Sequence, residues 1–141
     1  MKNLIRLSVV VFAFLFAAVS LTAQQKSVKK EAKSGTSTFT GYLVDKMCAM
    51  GMVKSGDAQK ATEKAMKHTK SCALEEDCKA SGYGLVIGAK FSKFDAAGDK
   101  MSVDYLTKSK KKDNFLVDVQ GTADGETIKV AAIHDAKKGK S

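Results

Sequence analysis

Residues 113–135 read DNFLVDVQGTADGETIKVAAIHD, and this stretch decides the fold. Two runs in which apolar and polar side chains alternate flank Ala123-Asp124-Gly125-Glu126. A period of two marks half-buried strands, and Asp-Gly between two such runs marks a tight hairpin turn. Working back from it, YGLVIGAKFSKF at 83–94 has the same period and reads as one long strand or as two short ones bent at Gly88. STFTGYLVDK at 37–46 is rich in β-branched and aromatic residues and reads as the first strand. DAAGDK at 95–100 reads as a turn, and MSVDYLTK at 101–108 suits a short helix or an irregular strand.

Between the first two strand regions the texture changes. Ser55 or Asp57 can cap a helix, since a short side-chain oxygen accepts from free backbone amides. Ala58, Ala61, Ala65, His68 and Cys72 then recur at spacings of three and four, a narrow stripe on one helix, and Gly82 is a natural stop. The expected fold is mainly β within the α+β class: a small OB-like antiparallel barrel of five strands, with a helical insert over 55–81 between strands 1 and 2. A plain antiparallel sheet with one helix packed on it is the alternative.

The ends set the expected compartment. MKNLIR, a short apolar run and SLTAQQ follow the n-, h- and c-region order of a secretory signal peptide, with cleavage expected after Ala23. The apolar run is shorter than the roughly 20 residues that a membrane span needs. Residues 24–37 read as a disordered basic leader, 38–135 as a single domain and 136–141 as a basic tail. Export, to a periplasm or beyond, and a monomer are the expectations. Losing Lys2 and Arg6 would lower the formal charge from +9 to +7. The one arginine, Arg6, lies in the signal. The rest of the chain therefore lacks the residue suited to forked phosphate or base contacts, which argues against nucleic acid. Scattered lysines suit solubility and, at most, weak salt-sensitive attraction to anionic envelope surfaces.

Chemistry concentrates in KMCAMGM (46–52) and in HTKSCALEEDCK (68–79). In an exported chain a disulfide is the first expectation for two of three cysteines. On one continuous helix the Cα atoms of Cys72 and Cys78 would lie about 9 Å apart along the axis, beyond the roughly 7 Å that a bridge tolerates. Cys48 is therefore the favoured bridge partner, with Cys78 ahead of Cys72, unless the helix breaks near Ala73-Leu74. His68 and Cys72, four apart, could present an imidazole and a thiolate to one metal. With Cys48 and Cys78 they form a Cys₃His set suited to zinc. Met47, Met50 or Met52 would instead complete a set suited to Cu(I). Ordinary packing also accounts for the methionines, and a half-buried structural role for His68.

Catalytic patterns are poor. Neither Cys-x-x-Cys nor Cys-x-x-Cys-His occurs, and Glu75, Glu76 and Asp77 suit a helix-starting acidic turn better than acid–base work. The expectation is a non-enzymatic binding protein whose Cys/His cluster forms a disulfide, binds zinc or Cu(I), or does both. A thiol-redox or stress-related envelope protein and a purely structural envelope domain are the alternatives.

GYLVDKMC and HTKSCALEEDCKASG carry a further signal. Over residues 39–133 the chain resembles a group of small exported bacterial proteins of unknown function. They share a G-x-x-V-D-x-x-C motif, an H-x₃-C-A-x₄-C-x₃-G motif and a terminal β-hairpin. The resemblance implies that Gly41, Asp45, Cys48, His68, Cys72, Cys78 and Gly82 belong to one pattern. The methionines around Cys48 do not belong to it, and no catalytic residue is implied.

Overall fold

The computed structural model describes residues 35–137. The expected signal peptide over 1–23 lies outside the described residues, as do most of the expected leader and tail. The elements run β1 (Ser37–Asp45), α1 (Lys46–Val53), α2 (Ala58–Met66), α3 (Lys70–Ala73), α4 (Glu76–Ser81), β2 (Tyr83–Ile87), β3 (Lys90–Phe94), α5 (Ala96–Lys108), β4 (Leu116–Asp124) and β5 (Thr127–Asp135).

The strands close into a barrel in the order β1-β2-β3-β5-β4, with β4 returning to β1. It is a mixed barrel, which corrects the expectation of an antiparallel one: β3 and β5 pair in parallel through Lys93–Thr127 and Phe94–Ile128. The cause is parity. The other four neighbouring pairs are antiparallel, and a ring of five strands cannot alternate direction all the way round. One parallel seam is unavoidable, and α5 and β4 supply the crossover connection that such a seam requires.

The barrel interior is filled by Leu43, Tyr83, Leu85, Phe94, Leu106, Phe115, Val117, Val119, Ile128 and Val130. Outside it, Val44 and Val86 face the opposite way, as a period of two requires, and pack with Ala49, Met52, Ala61 and Ala65 of the insert. β1 and β2 are thus apolar on both faces where the insert covers them.

Residues 95–100 do not form the expected turn: they open α5. Asp95 caps that helix, its Oδ1 accepting from Gly98 N at 3.0 Å and from Val130 N at 3.2 Å. Gly98 is needed for close approach, because a Cβ there would sit 2.5 Å from Val130 Cγ2. The ambiguous segment 101–108 is therefore helical.

The insert also differs from its expected form. Residues 46–53, expected ahead of it, are already helical. The single stripe of 58–72 is broken, with α2 ending at Met66 and α3 starting at Lys70. Thr69 caps α3, its Oγ1 accepting from Cys72 N at 3.2 Å. Two backbone bonds from the loop before β4 hold the break open: Lys70 N donates to Lys112 O at 2.7 Å, and Asn114 N donates to Met66 O at 2.9 Å. The acidic run behaves as expected, with Glu76 and Asp77 in the first turn of α4, where the helix dipole favours negative charge.

Candidate metal centre

The centre begins where β1 becomes α1. Asp45 ends the strand, is fully buried, and caps the helix: its Oδ1 accepts from Cys48 N at 2.9 Å. One capping turn therefore fixes a carboxylate and, three residues on, a thiol. Lys46 N donates to Gly82 O at 2.8 Å and Met47 N to Ser81 Oγ at 3.2 Å, which ties this corner to the end of α4.

The second and third thiols arrive through the break anticipated near Ala73-Leu74. Leu74 caps α3 and α4 starts at Glu76, so Cys72 and Cys78 are no longer separated by the rise of one rigid helix. Tyr83, fully buried on β2, pins the junction by donating its hydroxyl to Ala73 O at 2.5 Å.

The result is a compact set. One carboxylate oxygen of Asp45 and the sulfurs of Cys48, Cys72 and Cys78 all lie within 4.8 Å of one another. Cys48 Sγ and Cys72 Sγ are 3.6 Å apart. Two thiolates at the usual Zn–S distance of about 2.3 Å in a tetrahedron stand about 3.8 Å apart, so this spacing fits ligation. All three cysteines are thiols here. The expected Cys48–Cys78 bridge is not formed, and the helix break has removed the geometric reason for favouring it.

His68 is not among the four donors. Asp45 takes the place expected for it, because the break between α2 and α3 ends the i, i+4 relation to Cys72. His68 lies behind the carboxylate instead, 6% exposed, with Nε2 at 2.9 Å from Asp45 Oδ2. The ring nitrogen and the oxygen are close but not aligned as a directed hydrogen bond. Asp45 Oδ2 and both ring nitrogens of His68 have no hydrogen-bond partner among the described residues. The buried Asp45 carboxylate thus lies against His68 on one side and offers an oxygen within 4.8 Å of three sulfurs, a set that could hold a metal ion.

Electrostatics follow burial. Desolvation would raise the Asp45 carboxyl, but His68 and the Cys48 amide outweigh it and hold it below the usual carboxylate range. Burial, the neighbouring Cys72 thiol and the Asp45 charge push the Cys48 thiol strongly up. Burial and then Asp45 raise Cys78 to about 11. Free thiols packed beside a carboxylate thus resist ionisation, and a cation would reverse that.

The methionines separate from the site. Met47 and Met50 are 55% and 53% exposed, and Met52 is buried in the insert core against Val44, Ala61 and Val86. A cleft of about 620 Å³ between α5 and β5, lined by Tyr105, Lys108, Lys111 and Asp135 among others, does not include the cysteines. Sequence reasoning missed Asp45 as a donor. The available signal was its place three residues before Cys48, where a helix cap and a ligand can be the same residue. Compared with known protein families, curated proteins and solved structures, the chain matches none.

Proposed function

We propose that this protein binds a borderline metal ion, zinc foremost, through Asp45, Cys48, Cys72 and Cys78 at the rim of an OB-like barrel, as a binding protein rather than an enzyme. The observation that carries the reading is the convergence of four donor atoms within 4.8 Å from three separate helices and a strand end. Three thiolates and a carboxylate form a reasonable tetrahedral zinc set. The hard carboxylate and the exposure of Met47 and Met50 favour zinc over Cu(I). His68 supports the site from outside by orienting the ligating carboxylate, a role whose loss typically costs 10- to 100-fold in affinity. The order of charged, apolar and small residues at the N-terminus supports export, which fits a binding role in the cell envelope.

The test is zinc affinity of the reduced full chain, measured by competition with a chromophoric chelator. One ion per chain is expected. Asp45→Asn keeps the helix cap but removes the ligand charge, and should weaken zinc at least tenfold. His68→Ala should weaken it by a similar factor. Unchanged affinity in both variants would overturn the reading.

A further inference from the structure

The three sulfurs are not equivalent. Cys48 and Cys72 are partly exposed, while Cys78 is buried at 4%. These two residues also carry the pair of sulfurs 3.6 Å apart. They sit on different elements, Cys48 on α1 and Cys72 on α3, a helix of only four residues. Forming a bond of about 2.05 Å requires roughly 1.6 Å of approach, which side-chain rotation and a small shift of α3 can share.

From this asymmetry we infer that Cys48 and Cys72 form a dithiol–disulfide couple, and that closing it dismantles the metal centre. The oxidant is a small disulfide such as oxidised glutathione. One of the two protein sulfurs, as thiolate, attacks the small disulfide, forming a mixed disulfide and releasing one small thiolate. The second protein sulfur attacks the mixed disulfide, forming the Cys48–Cys72 bond and releasing the other small thiolate. Two protein sulfurs are oxidised, two small-molecule sulfurs are reduced, and the protons from Cys48 and Cys72 end on the released thiols. If zinc was bound it leaves, because Asp45 and Cys78 alone are too few protein ligands to hold it. Only this last coupling rests on the metal-binding reading, since the couple itself needs nothing but the thiols. Cys78 is the spectator: its burial keeps a bulky disulfide from its sulfur.

The experiment uses the reduced, metal-free full chain, incubated with excess oxidised glutathione and then alkylated. Trypsin leaves Cys72 and Cys78 together on Ser71–Lys79, so cleavage after Glu75 or Glu76 is needed to separate them. The expected product has one bridge, mapped to Cys48 and Cys72, with alkylation at Cys78. The same bridge should form in Cys78→Ser, while Cys48→Ser should stop at a glutathione adduct on Cys72. Zinc binding should be lost on oxidation and return with dithiothreitol. A bridge involving Cys78, or three alkylated thiols after oxidation, overturns the couple. Unchanged zinc affinity in the bridged chain overturns its link to the metal. If the reduced chain binds no zinc, the metal reading fails while the mapped bridge still decides the couple.

Discussion

The barrel and the insert share β1 but are built from different materials. Leu43 points into an interior packed with Tyr83, Phe94, Phe115 and branched aliphatics. Val44, its neighbour, points into a cluster whose insert side is three alanines and Met52. Burying a Leu, Val or Phe side chain contributes about 1.5–3 kcal/mol, whereas one methyl contributes roughly 0.8. The insert therefore has the weaker apolar drive, and it also holds the buried Asp45, His68 and thiols. Its four helices span four to nine residues each, lengths that are marginal without tertiary support. The barrel holds the larger apolar side chains; the insert depends on its caps and, in our account, on ligation.

The largest effect should come from the barrel. Phe115→Ala empties a fully buried site that packs edge-on against Tyr105 at 6.5 Å, and should cost about 3–5 kcal/mol in denaturant unfolding. The loss should be cooperative across the described domain. A transition confined to 46–81 would break the distinction between the two regions.

Next comes the metal. Zinc at about 100 times its Kd should stabilise the reduced chain by roughly 2.7 kcal/mol. Hydrogen exchange should place the largest gain in protection within 46–81. Uniform protection over β4 and β5 would mean that the insert is no more ligand-dependent than the barrel.

Alkali sharpens the same contrast. The Cys78 thiol is raised from 9.0 to about 11 and the Cys48 thiol is raised as well. Both hold their protons more tightly folded than unfolded, so their stabilisation is full below about 9 and is lost as pH rises through the folded values. The Tm of the metal-free chain should fall between pH 9 and 11, and Cys78→Ser should flatten part of that slope. Bound zinc should flatten it too, since ligating thiolates carry no proton to lose. A metal-free Tm that is level across this range would contradict the burial of the thiols.

The smallest effect belongs to Met47→Gln and Met50→Gln. Both side chains are exposed and lie outside the donor set, so stability should stay within about 0.5 kcal/mol and zinc affinity should not change. Weakened binding of Cu(I) in these variants would reopen the thioether reading.

How far the sequence could be read differs between the same two regions. The β4–β5 hairpin was legible because alternation and Asp-Gly are local signals, and Gly125 has the positive φ that such a turn uses. The strand region around Gly88 was legible for the same reason, but only as one long strand or two short ones; it forms two, Tyr83–Ile87 and Lys90–Phe94. The parallel seam was not read, although counting five strands in a ring requires it. Gly98 misled because a glycine serving close packing against Val130 looks like a glycine serving a turn. In the insert, Asp57 was legible as a cap, and the three cysteines as a cluster. The break at 67–69 was not, because it rests on backbone bonds to residues 112 and 114, over 40 positions away. That one unread break is why His68 was expected beside Cys72 and Asp45 was passed over.

The proposed site requires that three sulfurs and one carboxylate converge on one ion. Titrating the reduced full chain with Co²⁺ under nitrogen tests it most directly. We expect one equivalent to bind with strong thiolate-to-cobalt absorption and the visible bands of a tetrahedral ion, reduced stepwise when Cys48, Cys72 or Cys78 is changed to Ser. Weak octahedral bands with no sulfur charge transfer, indifferent to those three substitutions, would contradict it.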